Sequence, residues 1–223
     1  MNYYWDWDRA EAEFQHALDD AEDQASAREW YALLRAARGR IREARRQTVR
    51  AVELEPMLPN PLVQQAHILY YAGEYEQARP DIQQALTRNP TFVRAHLFRA
   101  LIDLQTGREQ EALDALMRFR GMTADPEPVL VAVLGYAQAR MQHPAEARAQ
   151  LQWLQEARAR GQYLPPELLA LVYVALGQHD AALAELERAR REHSSGLVYI
   201  KVEPLVAELR NYPRFQALVD AVH

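Results

Sequence analysis

Residues of the same kind recur in this chain every 34 positions, and that period constrains the fold more than any other feature. Gly39, Gly73 and Gly107 keep the spacing, as do Ala10, Ala44, Ala78 and Ala112, and again Ala17, Ala51 and Ala85. Pro56 and Pro90 form a fourth ladder, and Ala147 and Ala182 continue the alanine series with one-residue slips. Each repeat predicts a helix-turn-helix hairpin. Glycine turns the chain between helix A and helix B, the small alanines let the two helices approach, and proline ends helix B.

Composition agrees, since 49% of residues are hydrophobic and only 8 are glycine. The balance favours helix formers over strand formers, so an all-α chain is expected. With no cysteine there is no disulfide or thiolate metal site, which fits a reducing, cytoplasmic setting. The opening MNYYWDWDRA lacks the basic and apolar regions of a signal peptide, and no run of roughly 18 apolar residues predicts a membrane span. A net charge of -5 gives no global reason to bind nucleic acid. Lys201 is the only lysine, an arginine bias that suggests a bacterial source.

In register and punctuation the chain resembles the tetratricopeptide repeat family. Ser26 to Pro56 (SAREWYALLRAARGRIREARRQTVRAVELEP) and Pro61 to Pro90 are whole units. The unit from Val129 keeps the family's Leu134-Gly135 pair but has Gln142 where the turn glycine would stand. The next unit restores that glycine as Gly177 and keeps Tyr173 and Ala182. The resemblance implies a right-handed α-solenoid of antiparallel helix hairpins. It predicts an incomplete first repeat over 1–24, with helix B only, then five repeats over 25–193 and capping helices over 194–223, where Pro204 and Pro213 open short helices. More narrowly, YYWDWDRAEAEF, REWYALL and LVYIKVEP are similar to arrays that follow the effector domains of bacterial winged-helix regulators, adenylate cyclases and Ser/Thr kinases. The expected function is a protein-protein interaction scaffold, and the alternative is a regulatory tail of a larger signalling or transcription protein.

No catalytic motif argues for an enzyme: there is no G-x-S-x-G, phosphate-binding Gly-rich loop, H-E-x-x-H or kinase signature, and no cofactor or metal is expected. Charge is segregated. Residues 1–24 carry eight acids against Arg9, whereas eight arginines stand between Arg28 and Arg50 against Glu29 and Glu43. Neighbouring units of opposite sign should largely neutralise each other, and nucleic acid is not an expected partner.

Partner binding in such arrays uses the groove lined by helix A. The candidate lining is Trp30, Gln64, His67, Tyr70, Arg94, Phe98, Tyr136 and Arg140, aromatic and arginine types that carry interface energy. The family's carboxylate clamp needs Lys at the fifth position of helix A, where this chain has Glu29, Val63, Leu97, Ala132 and Glu167, so capture of a chaperone tail is not expected. Tyr3, Tyr4, Trp5 and Trp7 precede a helix that has no helix A of its own, which suggests an association edge and a homodimer. Two further expectations are local. Ala44, Ala78 and Ala112 should be buried at helix crossings, and Pro80 should delay or kink its helix.

Overall fold

A computed structural model describes residues 6–20, 24–121 and 126–222. The chain is 79% helical and, among the described residues, has no strand. It divides into two compact units, Met1–Ile102 and Asp103–His223.

The first unit holds α1 (Trp7–Asp20), α2 (Ala25–Ala37), α3 (Ile41–Leu54), α4 (Pro59–Tyr71), α5 (Tyr75–Arg88) and most of α6 (Val93–Gln105). Consecutive helices pair, α2 with α3 and α4 with α5, and α4 also packs on both α2 and α3. Ala44 and Ala78 are fully buried where the pairs cross, alongside Ala51 and Ala85, as the alanine ladders require. Gly39 and Gly73 turn between paired helices at φ 77° and 74°. At Gly73, its amide donates to the Tyr70 carbonyl at 3.0 Å and the Glu74 amide to Leu69 at 2.9 Å, which closes the helix end with the left-handed residue that glycine adopts without strain. Pro80 does not delay its helix: α5 begins at Tyr75 and runs through an exposed Pro80. α1 lies on α2, with Phe14 and Tyr31 ring centroids 5.8 Å apart and Glu11 held by Arg35 and Arg38, each at 2.7 Å. Trp7 opens that helix half-buried, whereas Tyr3, Tyr4 and Trp5 lie outside the described residues.

The second unit contains α7 (Glu109–Gly121), α8 (Pro128–Arg140), α9 (Pro144–Ala159), α10 (Pro166–Ala175), α11 (His179–Arg191) and α12 (Pro213–Val222). Two short 3-10 helices, Ser195–Tyr199 and Pro204–Leu209, lie between α11 and α12. Here α8 pairs with α9 and α10 with α11, and α8 packs on α10. Val131, Leu154, Leu169 and Val172 form the centre of its core, and Ala112 is fully buried. Gly135 is needed for close approach, because a Cβ there would stand 3.1 Å from that of Gln150 and 3.2 Å from Val172. Prolines begin α8, α9, α10 and α12, at the end of a helix where a missing N–H costs nothing.

Candidate partner-binding site

The first helices of successive hairpins in the first unit, α2, α4 and α6, bring together a polar cluster edged with aromatic rings. Arg94 is its hub. From the first turn of α6 it donates to Asn60 Oδ1 at 3.1 Å and to Gln64 Oε1, and its Nη2 lies 3.4 Å from His67 Nδ1. Its guanidinium also sits over the Phe98 ring, 5.7 Å from the centroid, a cation–π arrangement one turn along the same helix. Asn60 in turn donates through its amide to Glu29 Oε2, so a continuous chain of hydrogen bonds runs from α2 through α4 to α6.

The electrostatics follow from burial. Desolvation pushes the Glu29 carboxyl up to about 7, with Arg94 working against the shift and Glu55 adding to it. His67, packed between the Tyr71 and Phe98 rings at 4.4 and 4.3 Å, is driven well below the ordinary imidazole value by desolvation and then by Arg94, and is neutral at physiological pH. Gln64 is 1% exposed, its carbonyl oxygen is spent on Arg94, and its Nε2 is buried with no hydrogen-bond partner. An orphaned buried donor costs about 1–3 kcal/mol.

Of the candidate lining residues in this unit, Trp30 is 61% exposed beside Glu29, while Tyr70 and Phe98 are buried at 1% and 6%. Tyr70 packs edge-on to Phe98 at 6.2 Å and also meets Tyr71 and Tyr75, so the two rings shape the floor of the cluster and offer little surface themselves. In the second unit Tyr136 is 6% exposed and desolvation pushes its phenol up to about 12. Arg140 is exposed and pairs with Glu109 at 3.4 Å and Glu208 at 3.6 Å. Sequence reading overlooked Asn60 and Glu29 as members of the cluster. A signal was there: Asn60 stands 34 residues before Arg94, so two complementary polar groups share one repeat position. Glu167, at the same helix-A position as Glu29, accepts the Ser194 hydroxyl, whose oxygen lies 2.6 and 2.8 Å from its two carboxylate oxygens, and burial raises its carboxyl too.

Among the described residues no group of histidines and carboxylates could hold a metal ion, and no helix is long and apolar enough to cross a membrane. A sequence model of the tetratricopeptide repeat matches residues 63–125. Residues 63–125 carry tetratricopeptide repeat sequence. The fold of the chain is shared with a tetratricopeptide repeat protein from Parabacteroides merdae, at 16% identity and a TM-score of 0.66 over 97% of this chain and 77% of that one. A chain of the APC/C hetero-tetramer Cut9-Hcn1 gives a TM-score of 0.66 at 17% identity, covering 98% of this chain and 46% of that chain. PilF of Pseudomonas aeruginosa gives 0.56 at 17% identity, over 87% and 88% of the two chains. At these identities the likeness establishes the all-α hairpin fold of the tetratricopeptide arrays. No curated protein matches the sequence.

Proposed function

We propose that the chain is a protein-interaction scaffold that holds an extended or helical segment of a partner protein against its A helices. In the first unit the contacts are Trp30, His67 and Arg94 over a buried floor of Gln64, Tyr70 and Phe98, and in the second Arg140 over a buried Tyr136 forms a separate patch. The observation that carries this reading is the exposed Trp30 beside a pre-organised polar cluster whose hub, Arg94, is half-buried. Trp30 supplies apolar area at the rim, and Arg94, braced by Asn60 and Gln64, supplies direction to a partner carbonyl or carboxylate. The same reading keeps the division into an incomplete repeat over 1–24, five repeats over 25–193 and a cap over 194–223. It also includes a bacterial, cytoplasmic, non-catalytic role and self-association at the N-terminal edge.

The test is quantitative capture with the intact chain and a Trp30→Ala, Arg94→Gln double variant, followed by titration of each captured protein. Partners should bind the intact chain and lose about tenfold or more in affinity on the variant, the scale of one buried hydrogen bond plus one aromatic anchor. Equal affinity for both chains would remove the A-helix face from the function.

A further inference from the structure

The arginines of the second repeat fall into two sets. Arg35, Arg38 and Arg40 are turned toward the acidic α1 and share Glu11, with Asp8 also pairing Arg38 at 3.2 Å and Glu43 of α3 pairing Arg35 at 3.2 Å. Arg42, Arg46 and Arg50 are not turned toward α1. They follow one another at four-residue intervals on the exposed side of α3, and with Arg45, Val49 and Glu53 they line a surface cleft of about 470 Å³. Among the described residues Arg42 and Arg46 have no ion-pair or hydrogen-bond partner, whereas Arg45 is held by Glu74 at 2.8 Å and Arg50 by Glu53 at 3.0 Å. Like charges one turn apart cost a helix about 0.2–0.5 kcal/mol per pair, and the fold gains nothing visible in return. Val49, 47% exposed, sits among them as an apolar spot within the basic stripe.

We propose that this face of α3 is a second docking surface, which takes an acidic helical segment of a partner protein through carboxylates spaced one turn apart and an apolar side chain set over Val49. The spacing fits. Guanidiniums at successive turns stand roughly 6 Å apart along the axis, the same rise that separates carboxylates at every fourth residue of a second helix, and each fork accepts a carboxylate in bidentate fashion. The chemistry of nucleic acid fits less well: α3 offers no aromatic ring for base stacking, Glu43 and Glu53 flank the stripe, and the chain as a whole is at -5. The surface is distinct from the α2–α4–α6 cluster and does not depend on it.

A blocked, alanine-based helical peptide carrying Glu at three positions four apart and one Leu between them is the probe, with its Gln counterpart and an oligothymidine strand as comparisons. Fluorescence anisotropy at low salt should show the Glu peptide bound and weakened by added salt. Arg42→Gln with Arg46→Gln should lower its affinity about fivefold or more, on the scale of two exposed ion pairs. The charge-reversed Arg42→Glu, Arg46→Glu protein should instead select a Lys version of the peptide, a gain that no folding defect could imitate. Trp30→Ala should leave Glu-peptide binding unchanged. Equal binding of the Glu and Gln peptides, loss of binding with Trp30→Ala, or displacement of the peptide by the oligothymidine at lower concentration would each overturn the proposal.

Discussion

Gln142 is a residue in the wrong conformation for its type, and replacing it with glycine should stabilise the second unit. It ends α8 at φ 62°, where Gly39, Gly73, Gly107 and Gly177 end the corresponding helices at φ 70° to 77°. The closing hydrogen bonds are made regardless: Gln142 N–H donates to Ala139 at 3.0 Å and His143 N–H to Gln138 at 2.8 Å. The repeat geometry therefore holds this residue in the left-handed region, at a steric cost of roughly 1–2 kcal/mol for a residue with a Cβ. Glycine removes that cost but loosens the unfolded chain by about 0.4–1 kcal/mol, which leaves a net gain of about 0.5–1 kcal/mol. The Gln142 side chain is exposed and makes no hydrogen bond, so nothing else is lost. For a chain of this size the gain reads as about 1–4 °C in melting temperature, measured by circular dichroism with urea unfolding alongside. Gln142→Ala, which keeps a Cβ, should give no comparable gain, and Gly73→Gln should lose about what Gln142→Gly wins. A Gln142→Gly protein no more stable than the parent, or a gain matched by Gln142→Ala, would refute the reasoning.

Glu29 makes stability fall as pH rises. A carboxyl raised from 4.5 to about 7 in the folded state holds its proton more tightly there than in the unfolded chain, so its contribution is complete below pH 4.5 and is lost as pH climbs through 7. Glu29→Gln should be neutral near pH 4 and stabilising by about 1–3 kcal/mol near pH 8 in denaturant titrations, and a pH-independent difference would exclude this account. Asp81, raised to about 6 mainly by burial, should behave alike as Asp81→Asn with the loss centred nearer pH 5 to 6. At the α4–α5 crossing Ala78→Leu should cost about 1–3 kcal/mol by overpacking, against roughly 0.5 kcal/mol for Arg79→Leu beside it. Equal shifts in the urea midpoint at the two positions would contradict the register.

The scaffold was readable because each part of a hairpin demands one kind of residue. Gly73 marks a positive φ, Ala78 a crossing too tight for a larger side chain, and Pro213 a helix start, and all three stand in the sequence as letters. Gln142 was legible in the same way, as the missing letter in a glycine ladder. The cluster around Arg94 was less so. Periodicity placed Gln64, His67, Arg94 and Phe98 on one helical face, but it could not say that Tyr70 and Phe98 would turn inward, since burial of an aromatic ring depends on the shape of the next hairpin. Nor could it say that Glu29 would be desolvated, because charge on a helix surface and charge between hairpins look identical in a one-dimensional pattern.

Glu29 and Glu167 show how this arrangement redirects recognition. Both stand at the fifth position of helix A, and both are turned into joints within their own unit, Glu29 accepting from Asn60 of α4 and Glu167 from Ser194 after α11. A carboxylate buried in such a joint cannot meet an anionic partner, and burial raises its proton affinity rather than leaving it charged. What remains open in the first unit lies at the neighbouring positions, an exposed Trp30 one residue further along α2 and a half-buried Arg94 at the second position of α6. Those groups offer an apolar plate and a cation already braced by three polar neighbours. Bracing matters energetically, because a guanidinium fixed by Asn60, Gln64 and His67 loses little further freedom when a partner arrives. On the proposed reading, a segment that brings a carbonyl or carboxylate to Arg94 and an apolar side chain to Trp30 would meet both without displacing the joint at Glu29.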